Sequence, residues 1–112
     1  MKRRIYIAGP MSGHKNLNHD AFFEAEKWLQ AHGWDTINPA AMDLEVGIDP
    51  SQDMAEYDYE DAAGRDIVAL ESCQAIYLMA GWQHSKGACW ERALAARAGI
   101  RRYYQIPRED HN

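Results

Sequence analysis

The chain has 112 residues, of which 46% are hydrophobic and 26% are charged, and its formal net charge is −5. These proportions are typical of a globular protein, and the length suffices for one hydrophobic core, so we expect a single domain over residues 1–112. The excess of acidic side chains argues against binding through a phosphate backbone, and we expect no nucleic-acid partner. Because no apolar run approaches the roughly 20 residues of a membrane span, we also expect no membrane partner and a cytoplasmic location.

Cysteine and histidine, which often mark disulfides and metal sites, show no such pattern here. The two cysteines, Cys73 and Cys89, are too few for a disulfide scaffold and have no close Cys or His partner. The five histidines lack any metal-ligand spacing. We therefore predict no bound metal and no cofactor.

The first third of the chain predicts a strand and a helix. Residues 5–8 are apolar and β-prone and end at Gly9-Pro10, which indicates a strand followed by a turn. A helix is predicted from Asn18, with Asn18 or Asp20 as its N-cap and Gly33 at its C-terminal end. Its apolar positions recur at helical spacing and are Phe22, Ala25, Trp28 and Leu29.

The rest of the chain continues the alternation of strands and helices. Residues 34–38 predict a short strand stopped by Pro39, and residues 40–55 predict a long loop with room for one helical turn. A second helix is predicted over residues 57–72, with core contacts at Ala62, Ile67, Val68 and Leu70. The remaining predicted elements are a strand buried on both faces at 75–79, a loop at 81–85, a helix at 87–98 ended by Gly99, and a strand at 100–106.

This order of elements predicts an α/β fold. Alternating strands and helices favour a three-layer Rossmann-like (flavodoxin-like) architecture, in which a parallel sheet of four to five strands has helices on both faces. Ligands bind such sheets at the carboxyl ends of the strands. Residues 9–13, the loop after Asn38 and residues 80–87 should therefore meet there.

The turn Gly9-Pro10-Met11-Ser12-Gly13 is one candidate for ligand contact. Two glycines and a serine after a strand can expose backbone N–H groups to an anion. The segment matches neither the GxGxxG fingerprint nor a GxxxxGK[ST] loop, which argues against a dinucleotide site and a P-loop. A plain tight turn is the alternative interpretation.

A second candidate lies where the third predicted strand leads into the third predicted helix. Ser85 and the first amides of that helix could bind phosphate. Glu91 lies about one turn inside the helix, where the alternative is a surface acid that favours the helix dipole. Trp82 could stack on a base or cover apolar surface.

Two carboxylates are placed to act together. Asp66 and Glu91 lie on predicted helices that flank one strand, so their side chains could converge at its carboxyl end. Paired carboxylates suit acetal chemistry, in which one attacks or stabilises the anomeric carbon and the other moves a proton. For Asp66 the alternative is a solvated helix acid, and Tyr6 could be a core or a pocket residue.

Several of these segments resemble one known superfamily. The opening Ile5-Tyr6-Ile7-Ala8-Gly9-Pro10-Met11-Ser12-Gly13 is similar to that of the nucleoside 2-deoxyribosyltransferase-like superfamily, and in particular to its small phage and prophage branch, the DUF4406 family. The resemblance extends over about residues 3–106. It is also carried by Phe22, Gly33, Asn38-Pro39, the run from Ala75 to Trp82, Ser85-Lys86-Gly87-Ala88 and Glu91.

The resemblance implies a Rossmann-like fold and cleavage of the N-glycosidic bond of 2′-deoxynucleosides or their 5′-monophosphates. It makes Glu91 the nucleophile that attacks C1′, Asp66 the group that holds and protonates the base, and Tyr6 a pocket residue beside the nucleophile. Ser85 matches a serine of relatives that accept 5′-monophosphates. The substrate contacts expected with it are Gly9, Met11, Ser12, Gly13, Trp82, Lys86 and Gly87.

The resemblance also implies a homo-oligomer that acts on a small nucleoside or nucleotide. Relatives often carry Cys-Asp-Ala before the third strand, where this chain has Cys73-Gln74-Ala75. The sequence leaves open whether water or a second base accepts the sugar. The alternatives to an enzyme are a non-catalytic nucleotide-binding module and a partner-binding role for Trp82 or Trp90.

Overall fold

A computed structural model of the chain describes residues 3–11, 13–51 and 59–106. Its strands form one parallel sheet in the order β2-β1-β3-β4, and they are β1 (Arg4–Ala8), β2 (Asp35–Ile37), β3 (Ala75–Leu78) and β4 (Arg101–Tyr104). The helices are α1 (His19–Ala31), α2 (Pro39–Glu45), α3 (Tyr59–Glu71) and α4 (Lys86–Ala98). The predicted three-layer, Rossmann-like α/β fold is confirmed, with four strands in the sheet.

The two central strands, β1 and β3, carry the core on both faces of the sheet. Ile5 and Ile7 of β1 pack on the side of α1, whereas Tyr6 and Ala8 pack on the side of α3 and α4. This division follows from the alternation of side chains along a strand. β3 is buried along its whole length, as its continuous apolar run predicts. Tyr6 is consequently enclosed between the sheet and the helices that carry the candidate carboxylates.

The helix α1 follows its predicted pattern with one exception. Its buried residues include Phe22, Ala25 and Leu29, as predicted. Trp28, predicted to lie in the core, is exposed, because it sits at the edge of the buried stripe, where its ring stacks on His32 at 3.9 Å. Asn18 occupies the N-cap position but makes no capping bond. Gly33 follows the helix with a φ of +89°, a conformation that favours glycine.

The prediction of a long loop over residues 40–55 is wrong in its first part, where α2 forms (Pro39–Glu45). Pro39 ends a strand, but it also suits the first turn of a helix, where a missing N–H costs nothing. Asn38 caps this helix, since its side-chain oxygen accepts from the N–H of Ala40 at 2.9 Å. The same residues therefore stop a strand and start a helix. Residues 52–58, which include the predicted helix start at residue 57, lie outside the described residues.

The helices α3 and α4 pack side by side on the Tyr6 face of the sheet. Ala62 and Leu70 of α3 are buried, as predicted. Val68, also predicted to be a core residue, is exposed, because a position two residues before Leu70 lies on the opposite side of the helix. α4 ends at Gly99 in the left-handed conformation, as predicted. Within the described part of the chain, no helix combines the length and apolar character needed to cross a membrane.

Candidate active site

A cavity of about 840 Å³ opens at the carboxyl ends of β1 and β3, the edge where the fold predicts a ligand. Its walls come from the segment after β1, the segment after β3, and the facing sides of α3 and α4. Seven of the residues predicted to contact substrate or to act on it line this cavity: Gly9, Met11, Asp66, Ser85, Lys86, Gly87 and Glu91. The segment after Asn38 was also expected here, but no residue of 38–51 lines the cavity.

A buried hydrogen bond joins β1 to α4 at the floor of this cavity. The Tyr6 hydroxyl donates to Glu91 Oε2 at 2.5 Å, and Tyr6 is fully buried while Glu91 is only 9% exposed. Burial raises the pKa of Glu91 to about 8, because an ionised carboxylate loses its hydration there. The hydrogen bond from Tyr6 acts in the opposite sense, since it stabilises the carboxylate. Burial likewise raises the pKa of Tyr6, so this hydroxyl remains a donor.

Asp66 on α3 provides a second carboxyl in the same cavity. Its pKa is raised to about 7, chiefly by burial and also by the charge of Asp43, whereas Arg65 and the Tyr6 hydroxyl act to lower it. The charge of Asp66 also raises the pKa of Glu91. Near pH 7 to 8 the two carboxyls therefore hold about one proton between them. In that state one carboxyl is ionised and the other is protonated, and Glu91, which has the higher pKa, is more often the protonated one.

The amino end of α4 forms the opposite wall. Ser85 is its N-cap, and the Ser85 Oγ accepts from the N–H of Ala88 at 3.2 Å. The exposed Lys86 follows as the first residue of the helix, and His84 precedes the cap at the cavity wall. The free N–H groups of a helix N-terminus and a nearby cation favour a bound anion.

Two of the predicted contact residues are not brought to the cavity. Gly13 and Trp82 are absent from its walls, and Ser12 lies outside the described residues. The ring of Trp82 packs 5.7 Å from that of Tyr104, beneath the guanidinium of Arg92. The aromatic residue that does line the cavity is Trp90, which is 46% exposed.

Sequence reasoning also missed the wall formed before α1. Asn16, Leu17 and Asn18 have positive φ values of 52°, 54° and 60°, although none is a glycine. This left-handed turn buries Leu17 in the cavity wall, and the Asn18 side chain donates to Pro10 O at 2.9 Å. In a sequence, left-handed backbone is indicated mainly by glycine, and residues 16–18 contain none. The two asparagines were the only indication of this turn.

The described residues contain no group of three or more His, Cys, Asp or Glu side chains that could hold a metal ion. The side chains that the cavity offers for chemistry include Asp66, Glu91 with its partner Tyr6, and the residues at the start of α4.

Comparison with known proteins adds one assignment. No curated protein matches the chain. A family model described as a domain of unknown function (DUF4406) matches residues 3–104, a range that contains all the cavity residues named above. The match confirms the predicted family, and the chain therefore belongs to the DUF4406 family.

Proposed function

We propose that this protein cleaves the N-glycosidic bond of 2′-deoxynucleosides or their 5′-monophosphates, as a member of the nucleoside 2-deoxyribosyltransferase-like superfamily and of its phage branch. The observation that carries the proposal is the bond from Tyr6 to Glu91 at the floor of the cavity, with Asp66 beside it. A carboxylate held by a buried hydroxyl and paired with a second carboxyl matches the needs of glycosyl transfer.

The first step forms a covalent intermediate. A carboxylate oxygen of Glu91 attacks C1′, the C1′–N bond breaks, and its electron pair goes to the leaving base. Asp66 in its acid form gives its proton to a ring nitrogen of that base, which becomes neutral. A nucleophile of this kind divides one difficult displacement into two easier ones.

The second step releases the sugar. Water, or the nitrogen of a second base, attacks C1′ of the glycosyl ester, and Asp66, now a carboxylate, takes the proton from the attacking group. Glu91 leaves as a carboxylate. With water the product is the free deoxyribose or its 5-phosphate; with a second base it is a new nucleoside or nucleotide.

Tyr6 acts on the charge of Glu91. Its hydroxyl donates to Glu91 Oε2 at 2.5 Å, and it also acts to lower the pKa of Asp66. This bond stabilises the ionised form that attacks, and it fixes the carboxylate beneath the cavity. Hydrogen bonds to charged acceptors are stronger than neutral ones.

The wall at the start of α4 favours a 5′-monophosphate over a free nucleoside. Asp66 and Glu91 are the only acids among the described cavity residues, and the first turn of α4 contains no acidic residue. Ser85, Lys86 and Gly87 offer a hydroxyl, a cation and backbone N–H groups, the set that a phosphate prefers. We also propose that the protein is a cytoplasmic homo-oligomer and that this small nucleotide is its substrate.

The second candidate is a nucleotide-binding module without turnover. The raised pKa of Glu91, about 8, favours it, because most Glu91 side chains then carry a proton at pH 7 and serve as neutral hydrogen-bonding groups.

The test is incubation with each deoxynucleoside 5′-monophosphate, alone and with a second free base, followed by chromatography of the released bases. We expect base release that is lost in Glu91→Gln and retained in the matched control Glu71→Gln, an exposed acid on α3. Base exchange would mark a transferase, and release without exchange a hydrolase. Nucleotide binding without release from any substrate would favour the binding module, and release that survives Glu91→Gln would contradict the assigned nucleophile.

A further inference from the structure

One polar residue of the cavity wall takes no part in the steps above. Gln105 follows β4 directly and lines the cavity beside Ala80, although no sequence motif pointed to it. Its backbone N–H donates to Leu78 O at 2.8 Å, so the pairing of β4 with β3 continues through this residue. Its side-chain Oε1 accepts from the N–H of Ala80, also at 2.8 Å. Gln105 is therefore held to the end of β3 both by its backbone and by its side chain.

The bond to Ala80 determines which group of the Gln105 amide is left for a ligand. A backbone N–H can only donate, so the oxygen of the amide, and not its NH₂ group, must be the atom that meets it. Among the described residues, Gln105 Nε2 has no hydrogen-bond acceptor. Its N–H donors are therefore available to an acceptor on a molecule bound in the cavity.

Gln105 lies at the same end of the cavity as the start of α4. Backbone hydrogen bonds of 3.0–3.1 Å close the turn over residues 79–85, which joins Ala80 to the N-cap residue Ser85. Glu91 lies deeper, since it follows the cap by about 9 Å along the helix axis and is only 9% exposed, whereas Gln105 is exposed. A nucleotide with C1′ at Glu91 would keep its phosphate, the charged part that loses most on desolvation, at the exposed end.

We propose that Gln105 is a specificity-determining residue whose side-chain NH₂ group donates a hydrogen bond to the 5′-phosphate of a bound deoxynucleotide. The inference rests on the proposed function for the identity of the ligand. A donor suits this place, because hydrogen bonds to a charged acceptor are stronger than those between neutral groups. The contact with Ala80 does not by itself require an amide, since a carboxylate of the same size could accept from that N–H equally well.

Two substitutions separate the free NH₂ group from the contact with Ala80. Gln105→Glu keeps an acceptor for the Ala80 N–H and replaces the donor with a carboxylate oxygen, whereas Gln105→Met keeps the length of the side chain and removes both functions. Gln74 provides a matched control at the opposite end of the sheet. Its Oε1 also accepts from a backbone N–H, that of Arg4, at 2.9 Å, and it does not line the cavity.

The test is isothermal titration calorimetry with each deoxynucleoside 5′-monophosphate and with each free deoxynucleoside, in the Glu91→Gln protein so that no substrate is consumed. We expect Gln105→Met to weaken binding of the monophosphates by about tenfold, Gln105→Glu to weaken it by more, and both to leave nucleoside binding unchanged. Because the second ionisation of a phosphate lies near pH 6, both losses should be larger at pH 8 than at pH 5.5. Gln74→Glu should change neither affinity.

Unchanged binding of the monophosphates in Gln105→Met would overturn the inference, and so would an equal loss for the nucleosides, which would place the amide at the sugar or the base. If circular dichroism shows that Gln105→Met does not fold, Gln105→Glu decides alone by the same criteria. If the affinities change as expected but the wild type releases no base, the phosphate contact stands and the proposed cleavage fails. If base is released and the affinities do not change, only the inference fails; if no nucleotide binds, both fail.

Discussion

Removing the Tyr6 hydroxyl tests the central contact of the candidate site. Tyr6→Phe deletes one oxygen atom from a fully buried ring and leaves the packing of β1 unchanged. The lost interaction is the 2.5 Å hydrogen bond to Glu91. Because this bond favours the carboxylate, its removal raises the pKa of Glu91 and leaves a smaller fraction in the form that attacks C1′.

The size of the effect follows from the pKa of about 8. At pH 7 about one Glu91 in ten is then ionised in the wild-type protein. A hydrogen bond to a charged group contributes about 1.5 kcal/mol or more, which corresponds to roughly one pH unit. In Tyr6→Phe the ionised fraction at pH 7 therefore falls to about one in a hundred, and the rate of base release falls about tenfold.

The dependence of the rate on pH distinguishes a change in the ionisation of Glu91 from a general loss of activity. At pH 9 most of Glu91 is ionised in the wild type and about half in the variant, so the difference in rate should shrink to about twofold. Loss of the same hydroxyl also raises the pKa of Asp66, so Asp66 stays protonated to higher pH in the variant. The difference in rate between the wild type and the variant then becomes smaller still.

The assay is single-turnover release of base from the best deoxynucleotide substrate between pH 6 and pH 9. Tyr77→Phe serves as the control, because Tyr77 lies on the other face of the sheet and is not near either carboxyl. A wild-type to Tyr6→Phe rate ratio that stays constant across this range would refute the assignment of Tyr6 to the charge of Glu91, and so would an unchanged rate at pH 7.

Two further results are expected. In urea unfolding, Glu91→Gln should be more stable than the wild type by on the order of 4 kcal/mol at pH 8, and the difference should vanish near pH 4. The reason is that a folded-state pKa raised from 4.5 to about 8 destabilises the native protein as pH rises through that window. A stability difference that does not depend on pH would contradict the argument that burial raises the pKa of Glu91. Ser85→Ala should lower the melting temperature by about 4 °C, because it removes the N-cap of α4. Ser85→Asp should keep the cap but raise KM for 5′-monophosphates, because its carboxylate repels the phosphate. Equal KM values in the wild type and Ser85→Asp would show that the phosphate binds elsewhere.

The sequence was sufficient to predict the order of the four strands and of α1, α3 and α4, and the meeting of Asp66 with Glu91. Both residues lie on helices that flank β3, and in a parallel sheet the strand order alone brings those helices to one edge. The turn at Gly9 and the phosphate-binding segment at Ser85 were predicted for the same reason, since each follows a recognisable strand. These features depend on local pattern and on topology, which a single sequence contains.

The parts that failed depend on tertiary packing. Trp82 and Trp90 are both aromatic and close in sequence, and only the path of the chain after β3 decides that Trp90 faces the cavity. Asp43 was placed in a predicted loop, and its contact with Arg65, 22 residues further along the chain, forms only in the tertiary structure. The start of α2 was missed because a proline such as Pro39 is compatible both with the end of a strand and with the first turn of a helix.

The sheet order has a consequence for synthesis on the ribosome. β1 is central, and the N–H of Arg4 at its start donates to the side chain of Gln74, 70 residues further along the chain. Tyr6 must wait still longer for Glu91, which follows 85 residues later. Because synthesis proceeds at about 5–20 residues per second, β1 lacks its neighbouring strand β3 for several seconds. Its apolar side chains must be shielded from other chains until β3 has been made. The candidate site can form only after Glu91 has been made, so a nascent chain that ends before this residue lacks the contact between Tyr6 and Glu91.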